Sequence, residues 1–137
     1  MATFESAIRD LLEAQGFTDS SASVPTFWLA VEQDQPDFSV TVIPEVGSNS
    51  TRRLGEFPSF TVRVRHTNAG EAHLLARRIF EFLHEFQGRI GSDPTWPVAR
   101  ITGVGTPAPL GRDRAKRNGR WRVSQTFNAI TRFVTHP

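Results

Sequence analysis

At 137 residues, with 38% hydrophobic content, three Trp and no Cys, the chain is sized for a single domain with one core (1–137), and disulfide and thiolate chemistry are excluded. The net charge of +2 is unevenly divided: residues 1–51 carry eight acidic groups against one basic, and residues 52–137 carry fifteen basic against six acidic. Fifteen of the 16 cations are Arg, which stay charged far above neutral pH, so a pI near 10.3 does not by itself mark a nucleic-acid binder.

The first periodic segment sets Phe4, Ile8, Leu11, Leu12 and Gln15 on one helical face, with Thr3 as cap, Glu5 in the first turn and Gly16 at the end. Its charges at Glu5, Arg9, Asp10 and Glu13 interrupt the apolar run that a secretory signal needs, and no stretch approaches the roughly 18 apolar residues of a membrane span. A soluble protein made in a cytoplasm is expected. "TFWLAV" follows as an apolar run of strand length between Pro25 and the turn-forming "EQDQPD"; "FSVTVI" then alternates, and the two are expected to form a hairpin. The stretch from Pro44 to Phe57, "PEVGSNSTRRLGEF", has no defensible period and is expected to be an exposed, mobile loop.

"PSFTVRVRH" alternates Phe60, Val62 and Val64 against Thr61, Arg63 and Arg65, the pattern of a strand covered on one side. The strongest helix comes next, with Asn68 as N-cap, Glu71 three residues on, and a stripe through Ala72, Leu75, Ala76, Ile79, Phe82, Leu83 and Phe86 up to Gly88. The last third reads as strand, loop, strand. "PVARITGVGTP" is interrupted by Gly103 and Gly105, and "RWRVSQTFNAITRFV" sets Trp121, Val123, Phe127, Ala129 and Phe133 on one face. At about 3.3 Å per residue this second run would measure roughly 50 Å, long enough to leave its own sheet as an arm. The expected fold class is α+β, a mixed, mostly antiparallel sheet packed by two helices in the order α-β-β-β-α-β-β, with a long C-terminal β-hairpin arm. The expected core is Phe60, Val62, Val64, Leu75, Ile79, Phe82, Leu83, Trp121 and Phe127.

Catalytic chemistry needs a cluster, and the sequence offers none. His66, His73, His84 and His136 form no HxxxH pair and read as surface residues; the carboxylates are scattered, and the glycines fit neither GxGxxG nor GxxxxGK[ST]. No catalytic residue, metal ligand or cofactor is expected, and the chain does not read as an enzyme. The dense feature is "GRDRAKRNGRWR", in which Arg112, Arg114, Lys116, Arg117, Arg120 and Arg122 make six cations in twelve positions. Interleaved with Trp121, they could hold phosphates and stack on a base, yet no helix-turn-helix, RNP sequence or zinc finger accompanies them, and a solvated loop tip is the commoner occurrence.

Three stretches together, "FPSFTVRVRH", "EAHLLARRIFEFLHEF" and "ITGVGTPAPLGRDRAKRNGRWRVSQTFNAIT", resemble the tail terminator and minor capsid proteins of long-tailed bacteriophages. The residues that carry the likeness are Pro58, Phe60, Val62, Val64 and Arg65, then Pro107, Leu110, Gly111, Asp113, Gly119 and Arg120; the tip "RDRAKRNGR" is longer and more basic than the family's simple turn. The resemblance implies a virion structural protein at the head-proximal end of the tail, assembled in the host bacterial cytoplasm. It would form a homo-oligomeric, hexameric ring that caps the tail tube, ends its growth and presents a surface for the head-completion or neck protein. In that setting the six cations of the tip are expected to touch the tail tube protein or a neighbouring subunit, with Arg52, Arg53 and Leu54 as a second contact loop, DNA as a passing contact only, and no membrane. A neck or head-completion connector of the same virion and a small basic nucleic-acid-binding domain are the alternative readings.

Overall fold

The computed structural model describes residues 3–17, 25–29, 38–44, 49–51, 55–91, 95–112 and 121–131. In chain order these form α1 (Phe4–Gln15), β1 (Thr26–Leu29), β2 (Ser39–Pro44), β3 (Asn49–Thr51), β4 (Gly55–Phe57), β5 (Ser59–His66), α2 (Ala69–Leu83), β6 (Gly88–Ile90), β7 (Trp96–Arg112) and β8 (Trp121–Thr131). Both helices start where local chemistry places them. Thr3 accepts from the Ser6 amide while the Ser6 hydroxyl serves the Thr3 backbone, a reciprocal cap, and Gly16 closes α1 in the left-handed conformation at φ 60°. Asn68 accepts from the Glu71 amide at 3.0 Å. Asn68→Ala is expected to cost about 1 kcal/mol by removing this bond, measurable as a lowered midpoint in thermal denaturation with an unchanged native spectrum.

The sheet runs β1-β2-β5-β8-β7-β6, all antiparallel except at one edge. There the expected hairpin does not form: β1 pairs with β2 in parallel, Thr26 opposite Ser39 through Leu29 opposite Val42. The antiparallel partner of β2 is instead β5, from Ser39–Arg65 to Pro44–Phe60. Beyond Pro44 and Pro58 the same partnership resumes as β3 against β4, so the stretch expected to be a loop contains paired strands. Short polar segments show no alternation of their own; it is the partner that makes them strands.

The core lies on the inner face of the sheet, where the side chains of Val40, Val42, Phe60, Val62, Val64, Val123 and Phe127 meet α1 and α2. Ala7, Ile8 and Leu12 enter from α1, and Leu75, Ala76, Ile79 and Leu83 from α2. Of the expected core, Phe60, Val62, Val64, Leu75, Ile79, Leu83 and Phe127 are buried, whereas Phe82 and Trp121 are half-buried at its margin. Phe82 turns toward Phe17 and Phe86 at the helix end, and Trp121 sits at the last described rung opposite His66, where fewer neighbours can cover a large ring. α1 packs on β1 and β2 and also touches β6 at the far edge, and Phe4 meets Trp96 edge-on at 5.7 Å. One short helix can reach both edges only because the sheet curls around it.

β5 is not the one-sided strand its alternation suggests. Thr61 and Arg65 on its outer face are each 3% exposed, as tightly enclosed as the valines opposite. β5 is central, with β2 and β8 pairing along both edges, and on its outer side the Thr61 hydroxyl lies 3.1 Å from that of its cross-strand neighbour Thr126.

Candidate functional site

The basic stretch is carried by the β7–β8 hairpin, and the hairpin is held in place by contacts the sequence did not announce. α2 ends at Leu83, before the expected Gly88, and Glu85 takes a left-handed φ of 66°. That turn sends the chain alongside β7: the Glu85 amide donates to the Ile101 carbonyl at 2.6 Å, and the Ile101 amide to the Phe86 carbonyl at 3.1 Å. His84, expected on the surface, is half-buried; it stacks on Phe80 at 5.0 Å, and its Nδ1 accepts the Gly103 amide at 3.0 Å. The acceptor role assigns the neutral ring with its proton on Nε2.

One edge of the Phe80 ring in turn lies against Gly103, where any side chain would collide with it. Just beyond Gly103 the strand bulges, with the register against β8 shifting between Val104 and Ala108 and Gly105 at φ 74°. The Val104 carbonyl freed by that shift is met by Gln125 Nε2 at 3.0 Å, which also reaches the Thr126 carbonyl at 2.8 Å. Gln125 is 3% exposed on the inner face, a polar residue kept in the core to hold a bulge. The sequence signals were there: two glycines interrupting a β run, and one polar residue on an otherwise apolar face.

The hairpin is long, 17 residues in β7 and 11 in β8, but over its described length it does not stand clear of the sheet. β8 pairs with β5 from Trp121 to Asn128 while it pairs with β7 along its other edge. The six tip cations therefore separate. Arg112 ends β7 opposite Trp121; Arg114, Lys116, Arg117 and Arg120 lie outside the described residues. Arg122 does not belong to the tip. It stands inside β8, directly opposite Arg65, half-buried, with its Nε lacking a hydrogen-bond partner among the described residues. The sequence placed it at the tip because the run of arginines is continuous there, whereas the strand already begins at Trp121. Arg52, Arg53 and Leu54 lie between β3 and β4, also outside the described residues.

On the outer face, successive rows cross β5, β8 and β7. Arg65 and Arg122 form the first, Arg63 and Ser124 the second, Thr61, Thr126 and Val104 the third, Ser59, Asn128 and Thr102 the fourth, Ile130 and Arg100 the last. Cations are thus gathered at the hairpin end of the face, and the face opens toward solvent along β7, where Arg100, Thr102 and Val104 are exposed. Among the described residues no group of His, Asp and Glu could hold a metal ion, and no helix is long and apolar enough to cross a membrane.

Comparison with known proteins bears on this architecture. A family model described as bacteriophage tail terminator protein matches residues 11–132. A solved chain from the virion of a native gene transfer agent particle superposes with a TM-score of 0.64 at 15% identity, covering 93% of each chain, a likeness of fold. No curated protein sequence matches the chain.

Proposed function

The chain belongs to the bacteriophage tail terminator family, a family of virion structural proteins, and from that premise we propose that it forms a hexameric ring capping the tail tube. In this reading the ring ends tube polymerisation, sits at the head-proximal end of the tail and offers its other surface to the head-completion protein. Family membership across residues 11–132 carries the reading, since the matched span includes α2, the sheet and the whole C-terminal hairpin. The chemistry of the chain supports it. An acidic first third and a basic remainder give unlike surfaces to neighbouring copies, as a head-to-tail ring contact requires.

Arg112, Arg114, Lys116, Arg117 and Arg120 dock the hairpin tip on acidic surface of the tube protein or an adjoining subunit, because the planar guanidinium pairs with carboxylates through two parallel bonds. Arg52, Arg53 and Leu54 form a second contact with the tube protein or a neighbouring subunit. Replacing Arg112, Arg114, Arg117 and Arg120 with Ser should weaken binding to polymerised tube protein by about 2 kcal/mol or more, roughly 30-fold, and leave tails unjoined to heads. The melting midpoint of the free protein should not move. Wild-type yields of infectious particles from this variant would dispose of the docking role.

A further inference from the structure

We propose that the outer face of β7 and β8 is the seat of α1 of a second copy of this chain, a contact that rests on the ring reading above and assigns its surface. Val104 is 52% exposed and Ile130 41% exposed, and they flank the polar row of Thr102 and Asn128. Three large hydrophobic residues stand exposed among the described residues, and two of them are on this one face. Isolated apolar residues at a surface need no explanation, but two β-branched side chains on neighbouring strands, one row of small polar groups between them, form a strip. From the row of Val104 to that of Arg100 the strip runs about four residues along β7, or about 14 Å, and it is two strands wide. A single helix of about 10 Å diameter fits such a surface.

Charge selects the helix. Arg100 is exposed at the end of the strip with no ion-pair partner among the described residues. The outward side of α1 presents Ser6, Asp10 and Glu13, with Ala14 exposed beside them; Asp10 is tied to Arg9 at 3.1 Å, whereas Glu13 has no ion-pair partner among the described residues. The outward side of α2 carries Arg77, Arg78 and Glu81, and its one exposed carboxylate, Glu81, is already tied to Arg77 at 3.7 Å, so it offers Arg100 no carboxylate outside an ion pair. α1 lies in the hollow of the curled sheet and the strip on its outer side, so one copy cannot satisfy its own strip. The contact is heterologous, the kind that closes a ring by rotation.

Glu13 of one copy then faces Arg100 of the next, and Val104 and Ile130 pack against the small residues of the helix. The test is sedimentation and light scattering over a wide concentration range, on wild type and on variants of unchanged melting midpoint. Arg100→Glu and Glu13→Arg should each weaken association about tenfold or more, and the two together in one chain should recover it, because the reversed pair still attracts. An Ile130→Glu chain, blocked at its strip, mixed with a Glu13→Arg chain, blocked at its helix, should yield a one-to-one dimer and nothing larger, since one sound strip and one sound helix remain between them. A wild-type chain that stays monomeric, reversals that leave the assembly unchanged, a double reversal no better than either single one, or a mixture that stays monomeric overturns the proposal. Binding to polymerised tube protein keeps the two readings apart: tube binding by rings indifferent to these changes sinks only the strip, and rings built on the strip that ignore the tube sink only the terminator role.

Discussion

Phe127→Ala should lower the unfolding free energy by about 3–5 kcal/mol, the range for truncating a fully buried aromatic ring. Phe127 is 0% exposed and sits midway along β8, with β5 on one side and β7 on the other. Its ring stacks on Phe60 at 5.3 Å and lies 6.2 Å from Phe80, and Phe60 continues to Phe4 of α1 at 5.9 Å. The contact chain thus joins both helices to the central strands, and no single neighbour can collapse into the space left behind. Domains of this size are typically stable by about 5–15 kcal/mol, so the loss would be a large share of the total. Denaturant titration checks it: the midpoint should fall with little change in slope, and a loss under about 1 kcal/mol would show that Phe127 is not the hub of the core.

Gly103→Ala is expected to destabilise by about 1–3 kcal/mol, although Ala in place of Gly inside a strand would ordinarily help by roughly 0.5–1 kcal/mol. A Cβ at Gly103 would run into Phe80 Cε2, with Phe80 Cδ2 at 3.0 Å and Gln125 Nε2 at 3.4 Å. Phe80 has no easy way to yield, since its ring is stacked on His84 on one side and lies against Phe127 on another. The cost should therefore depend on Phe80. In a Phe80→Leu background the same glycine substitution should cost less, and a double-mutant cycle would read the difference directly. Strict additivity would mean that the clash is relieved elsewhere, through backbone movement of β7. Such movement would also disturb the Gln125 bonds that hold the bulge beside it.

These two residues also mark where sequence reading succeeds and where it stops. Phe127 was legible because it stands on the apolar face of a regular alternation. Gly103 was legible only as an interruption, since its reason lies in Phe80 of α2, far earlier in the chain and off the main helical stripe. His84 is similar. Helical spacing puts it in line with the exposed Arg77 and Glu81 and so predicts a solvent-facing ring, but α2 has already ended at Leu83 and the ring is claimed by a β7 amide.

By itself the sequence determined what neighbouring residues decide among themselves. The caps at Thr3 and Asn68, the left-handed stop at Gly16, the faces of α1, α2, β5 and β8, and the family likeness that the match over 11–132 upholds all rest on short-range spacing. Only the tertiary structure decided which strands pair. β1 lies parallel to β2, β3 and β4 extend the β2–β5 partnership, α2 ends early to bond β7, and Arg122 falls inside the sheet beside Arg65 instead of at a tip. Each of these is a choice among partners distant in the chain. It is settled by the total apolar area and hydrogen bonding of the closed sheet, a quantity no local window of sequence contains.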